Sequence, residues 1–363
     1  MKKFFLYMAF AILLSFSTHA QGWYETALPD AQIMNMCIYK SQLWAASYGK
    51  GIFCYDFASK TWKEYSTKLS TAEDDFYYCI AVSDNYIWAG TSEGLYIYDR
   101  KTALWKKRKF SAGGEYGNWI RALHYDSETN MLWIGRFQFL TKLDVAKQKY
   151  EDINLTMGKD DRSNNIRVIH ADGTKLIWIG TESGVFRYDK SKSFSDINSY
   201  EYFTNSENTF KADGDFISIS EIFTDKYSVW FGTDEFVTQE KPNFNLGGLF
   251  RFNRKAEWQK YNRLSGLLGN GIKSIAKGAA RLWVGTYSFD RETKTEIGQG
   301  LSVLNLSTGK VQNIRMEEIN GKSNLIYSLL FEGDELWIGT EKGLYKIILS
   351  NPFASFAKNK IKK

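Results

Sequence analysis

The sequence has little of what covalent and metal chemistry usually needs. Three cysteines and three histidines are spread over 363 residues. Cys37, Cys54 and Cys79 form no CxxC pair and no metal-ligand spacing. Each lies in an apolar stretch, where cysteine behaves as a small buried hydrophobe. Free thiols are expected, because a chain of this length can bury a large core without disulfides. Beyond the leader only His124 and His170 remain, in different repeats and on extended runs. No nucleophile motif is present, and no glycine-rich phosphate loop opens a helix. Catalytic residues, metal and cofactor are therefore all expected to be none.

Long apolar runs are also missing. Phe4 to Phe16 is the longest, and it falls short of the roughly 20 residues that cross a bilayer. Lys2 and Lys3 precede it and Thr18-His19-Ala20 follows it, the pattern of an export signal cut after Ala20. The expected mature protein is periplasmic or secreted, without a transmembrane segment. A charge excess is missing too. The formal net charge of +6 comes from the two leader lysines and from Lys358, Lys360, Lys362 and Lys363 in the tail, residues 351–363. The body, residues 21–350, carries as many acids as bases. Nucleic acid is excluded as a partner, since its recognition needs a basic excess on the folded body. The tail reads as a solvated terminus.

What the chain does have is repetition. LWAAS, IWAGT, LWIGR, IWIGT, VWFGT, LWVGT and LWIGT place Trp44, Trp88, Trp133, Trp178, Trp230, Trp283 and Trp337 44 to 54 residues apart. A self-similar period of this size marks a stacked or ring-closed repeat architecture. In the fourth repeat four short extended runs (165–170, 176–181, 185–189 and 200–204) are separated by turn residues, with no helical period. We label such runs A to D. Glycine precedes run C at Gly51, Gly94, Gly184, Gly248, Gly300 and Gly343, where a tight turn needs positive φ.

Four antiparallel strands used seven times predict an all-β fold, a single seven-bladed β-propeller over residues 21–350. The tryptophans are expected to pack between blades. The seventh repeat stops after run C, whereas Gly22-Trp23-Tyr24-Glu25-Thr26 resembles the run-D segments TWKEYS and EWQKYN. The N-terminal strand is thus expected to complete the last blade and close the ring, mainly through burial of Trp23.

With W-[IVF]-G-T, a short turn and G-L-[YF]-x-[YF]-D, the chain resembles the two-component regulator propeller repeat. That repeat opens strand A with asparagine and an aliphatic residue, as at Asn118/Ile120, Asn165/Ile166, Asn270/Ile272 and Asn324/Ile326. The likeness covers residues 22–349. It implies the periplasmic sensor part of hybrid sensor kinases, whose ligand is often a glycan fragment. The propeller is expected to stand alone here, with any sensing passed to a separate partner.

Antiparallel order places the B–C and D–A loops of every blade on one face. The large insertions (111–117, 205–214, 234–247 and 287–299) all fall in those loops. Insertions gathered on one face mark the binding face of a repeat protein. Candidate ligand residues there are Arg121, Arg167 and Lys273, which open strand A in three blades. They either hold carboxylates of an acidic glycan or pair with loop acids such as Asp160, Asp161 or Asp215. Trp119, Phe137, Phe139, Tyr287 and Phe289 are candidate aromatic platforms. The third repeat lacks the turn glycine and reads Gly135-Arg136-Phe137-Gln138-Phe139, an irregular turn. The acidic pairs Asp74/Asp75 and Asp160/Asp161 suit acid–base work or calcium in principle. The expected function is a non-catalytic module, a monomer that binds a protein partner or a glycan on this face. A polysaccharide lyase or glycoside hydrolase of propeller fold is the alternative.

Overall fold

Seven sheets, each of four antiparallel strands, form the structure, a computed structural model that describes residues 24–349 apart from residue 207. The repeat reading holds blade by blade. In blade four the strands are Ile166–Asp172, Leu176–Thr181, Gly184–Asp189 and Tyr200–Phe203. Each is only long enough to make one blade, and each pairs with the next in sequence. The leader and the lysine-rich tail lie outside the described residues. Among the described residues no helix is long and apolar enough to cross a membrane.

The W-x-G motif has a packing reason at both conserved positions. All seven tryptophans are buried, and each contributes to a different apolar cluster shared by two adjacent blades. Trp178 of blade four, for example, meets Phe231 and Phe252 of blade five at 5.3 and 6.3 Å between ring centroids. The glycine two residues later makes room for the next blade. A Cβ on Gly180 would stand 2.8 Å from the Ile219 side chain, and one on Gly232 2.6 Å from that of Ile272. Real Cβ atoms do not approach so closely, so any larger residue would push two blades apart.

The ring closes as expected, with a shift of register. Tyr24–Pro29 is the fourth strand of blade seven, paired to Gly343–Ile348. Trp337 then packs against Tyr55 and Trp62 of blade one at 5.4 and 6.3 Å. Sequence likeness aligns Trp23 with Trp62, but pairing sets Tyr24 opposite Ile347 just as Trp62 is set opposite Tyr55. A bulge at Ala27 absorbs the extra residue. Trp23 itself lies outside the described residues, so the visible closing contacts belong to Tyr24, Ala27 and Leu28.

The asparagine that opens strand A also has a defined task. In blades three, four, six and seven its side-chain oxygen accepts the backbone N–H just beyond strand D, at 2.6 to 3.0 Å. The residues are Asn118, Asn164, Asn270 and Asn324. In blade four it is Asn164, and not the Asn165 that the sequence pattern suggests. Asn165 turns its amide toward Glu182 instead. The three cysteines are free thiols.

Candidate functional site

A repeated irregularity aims one residue of every blade at the centre of the ring. In six strand pairs the A–B register slips one residue after the first aliphatic position of strand A. The extra residue is Met34, Arg121, Arg167, Ser220, Lys273 or Tyr327, and Tyr78 holds the matching place in blade two. All seven line the mouth of the central channel, whose volume is about 660 Å³. Bulges re-aim side chains in this way at functional rims. The equivalence of Arg121, Arg167 and Lys273 is therefore backbone geometry as well as sequence likeness.

The three cations are not free. Arg121 Nη1 lies 2.8 Å from Glu182 Oε1, Arg167 Nη2 2.8 Å from Asp234 Oδ2, and Lys273 Nζ 2.6 Å from Glu296 Oε1. Pairing is one of the two expected readings, but with these acids rather than Asp160, Asp161 or Asp215. Asp160 instead caps a short 3-10 turn, Asp161–Asn164, and pairs with Arg162. Asp75 binds the Thr67 backbone and hydroxyl, and Asp74 accepts the Phe76 N–H. Asp74, Asp75 and Asp160 thus hold loops. Among the described residues no cluster of three or more ligand-type side chains could hold a metal.

Electrostatics at the mouth follow from burial and these pairs. Burial, then the nearby Arg167, pull Arg121 down to about 10, while Glu182 works against them. Burial would lift Asp234, but Arg167 and Lys273 hold it below the usual carboxylate range. Asp234 also accepts the Ser218 and Tyr287 hydroxyls at 2.7 and 3.1 Å. It is saturated and unavailable as a base. Tyr287, expected as a platform, is only 1% exposed and presents no face to a ligand. Its role is to anchor Asp234 and to accept the Glu235 backbone N–H.

Beside this network the insertions of blades five and six enclose a pocket of about 290 Å³. Its walls include Arg162, Glu235, Phe236, Phe244, Asn245 and Glu296. Phe236 meets Phe289 at 4.8 Å, and Phe244 meets Phe216 at 4.8 Å, giving an aromatic rim. Arg162 lies 3.9 Å from the Phe216 ring centroid. Glu235 is the exception to the saturated pattern. It forms no ion pair among the described residues, and burial raises its carboxyl above the ordinary value against the pull of Arg263 and of the Gly271, Asn270 and Phe289 backbone N–H groups. The residues at 235, 236, 244 and 245 escaped recognition because nothing in their types is distinctive. Their place in the longest insertions was the one signal.

Trp119 and Phe137 come together at the opposite side of the mouth, stacked at 5.6 Å and 2°. Arg121 lies beneath both rings, 5.4 and 5.2 Å from their centroids. The irregular turn of blade three builds this arrangement. Where other blades carry threonine or serine at this position of strand B, Arg136 reaches from a fully buried position to the carbonyls of Ala112 and Gly117 at 2.9 and 3.0 Å. It also pairs with Asp152 at 3.0 Å. Phe139 takes the place of the turn glycine, with φ at 77°.

Comparisons with known proteins support the fold. No family model matches the chain, and no curated protein matches it. Among solved structures, it is similar to two crystal structures of the extracellular domain of BT4673 from B. thetaiotaomicron, described as a one-component or hybrid two-component system. They share 18% identity, with TM-scores of 0.65 and 0.64, over 90% of this chain. The chain spans only 40% and 39% of the length of those structures. Virginiamycin B lyase from Staphylococcus aureus matches at TM-score 0.64 and 12% identity, over 90% of this chain and 99% of the lyase. YCF48 bound to D1 peptide matches at 0.61 and 12%, over 90% and 97%. Such identities establish a shared propeller fold.

Proposed function

We propose that this protein is an exported, non-catalytic binding module that takes its ligand on the loop-rich face. The pocket between blades four, five and six is its primary site. One observation carries this reading: Glu235 lines the pocket as a carboxyl with no ion-pair partner among the described residues, where the other charges are already paired. A carboxylate that no cation pairs is a strong acceptor for a ligand's hydrogen-bond donor. With the aromatic rim of Phe236, Phe244 and Phe289, the pocket suits an uncharged polyhydroxylated group such as a glycan end. An acidic ligand is disfavoured, because Arg121, Arg167 and Lys273 are neutralised from within. The sensor and peptide-bound propellers among the similar structures support a binding role, with any signal passing to a separate two-component sensor through a protein partner.

A second reading, a carbohydrate lyase or hydrolase, is favoured by the lyase among the similar structures and by the raised Glu235 carboxyl. The test is a glycan array and a peptide array run beside a reducing-sugar assay on one preparation. Binding without product, weakened about tenfold in Glu235→Gln, supports the module. Release of oligosaccharide lost in the same variant would replace it with the enzyme reading. Equal binding by wild type and Glu235→Gln would remove the pocket from the proposal.

A further inference from the structure

The other half of the same face carries a surface of different character. Six aromatic side chains from blades one to three form an unbroken series of ring contacts. Tyr116 meets Phe137 at 5.4 Å, and Phe137 stacks on Trp119. Trp119 meets Tyr78 at 5.8 Å, Tyr78 meets Tyr48 at 5.4 Å, and Tyr48 meets Phe76 at 4.9 Å. Tyr116, Phe76 and Tyr48 are 54%, 50% and 40% exposed. Scattered exposed aromatics need no explanation, but a contiguous set marks an interaction surface. Tyrosine, tryptophan and phenylalanine over an arginine is also the composition of protein-interface centres.

Two further features separate this arc from a mere cover over blade ends. Its base is preorganised: Arg136 ties down the loop that carries Tyr116 and Trp119, and Phe139 accepts a left-handed backbone to complete that turn. Strain of this kind persists at recognition sites, where the surroundings hold it in place. Its border is acidic. Glu73, Asp74, Asp75 and Glu115 flank the rings in the two D–A segments, and none forms an ion pair among the described residues. Against them stand Lys50 and Lys68, with Lys109 paired to Glu93. Arg121, under the rings, is neutralised by Glu182. The arc is therefore apolar at its centre and net negative at its edge, four acids standing against two unpaired lysines.

We propose that this arc is a docking surface for a basic polypeptide segment, in which lysine or arginine alternates with apolar side chains. The cations would meet the border carboxylates and the ring faces together. The apolar side chains would cover the exposed rings. This surface is separate from the pocket of blades four to six and does not depend on what that pocket holds.

The test is calorimetric titration of the mature protein with synthetic peptides of about eight residues. One alternates lysine and leucine, one glutamate and leucine, and one serine and glycine; a neutral glucose hexasaccharide is the fourth probe. The lysine–leucine peptide is expected to bind alone, and to weaken at high salt. The double variant Phe76→Ser/Tyr116→Ser and the charge variant Asp74→Asn/Glu115→Gln should each weaken it about tenfold or more. Asp334→Asn, on the opposite face, should leave it unchanged. Melting temperatures of the variants check that folding is intact, and these exposed positions should not move them. Equal binding by wild type and both arc variants would overturn the proposal, as would a preference for the acidic peptide. Binding of the hexasaccharide alone, lost in Phe76→Ser/Tyr116→Ser, would reassign the arc to a glycan.

Discussion

Arg121 of blade three and Glu182 of blade four, 61 residues apart in sequence, meet across a blade boundary with Nη1 and Oε1 2.8 Å apart. Glu182 in turn accepts the Asn165 amide at 2.9 Å. Arg167 repeats the arrangement with Asp234 of the following blade. The two arginines of what looks like a basic ring in the sequence are thus cross-blade fasteners, held largely out of water, whereas Lys273 pairs with Glu296 within its own blade. Removing one partner strands the other as a poorly solvated charge. Glu182→Ala should cost about 2–3 kcal/mol in urea unfolding, while the double variant Arg121→Met/Glu182→Met recovers most of the loss. Equal losses in the single and double variants would show that the pair does not act as a unit.

The channel interior sets a pH dependence. Burial pushes Glu221 up to about 8 and holds His124 and His170 down to about 4. In the unfolded chain these groups titrate near 4.3 and 6.5. Between about pH 4 and 6.5 the unfolded state binds more protons at the two histidines, so their contribution to stability rises with pH. Between about pH 4.3 and 8 the folded state keeps the Glu221 proton that the unfolded state releases, so that contribution falls as pH rises. Two histidines outweigh one glutamate below about pH 6.5, and above it the glutamate acts alone. Stability should peak near pH 6.5 and decline toward pH 8, and Glu221→Gln should abolish the decline. Thermal melts from pH 5 to 9 on both proteins check this; parallel curves would contradict it.

Phe139 offers a test of strain. Its φ of 77° falls where Gly184 or Gly51 stands in other blades, and its ring packs 5.4 Å from the Arg136 guanidinium. Losing the ring should destabilise the blade, but glycine also removes the strain and alanine does not. Phe139→Gly should therefore be about 1 kcal/mol more stable than Phe139→Ala, the reverse of the order at an ordinary strand position. Matched denaturant curves decide it. Alanine equal to or better than glycine would mean that the turn relaxes at no cost.

Closure of the ring depends on the first strand. Deleting residues 24–29 exposes an edge of Gly343–Ile348 and uncovers Leu344 and Ile347. The loss should be about 2–5 kcal/mol, carried by Tyr24, Ala27, Leu28 and the strand pairing. An unchanged melting temperature would contradict closure by this strand.

The legibility of these features divides along physical lines. Blade number, strand order and tryptophan packing repeat seven times, so each is written repeatedly in the residues. The register of Tyr24 is set by a single bulge at Ala27, which leaves no mark in a sequence alignment of TWKEYS with GWYET. The partners of Arg121 and Arg167 lie in the following blades, 61 and 67 residues further along, and only the folded ring brings them together. Tyr287 looked available because its type is common on surfaces, but Asp234 and Lys273 enclose it. The missing glycine of blade three was visible; the compensation by Arg136 was not, since arginine on a strand usually points to solvent.

Hydrogen exchange with and without the tightest-binding probe from the arrays tests most directly whether recognition belongs to the loop-rich face. Protection should appear in residues 235–245, 287–299 and 155–165 for a pocket ligand, and in 66–78 and 111–119 for a ligand of the aromatic arc. Turns on the opposite face, such as 172–175 and 225–228, should exchange as before. Protection confined to those turns would contradict the assignment of this face as the binding surface.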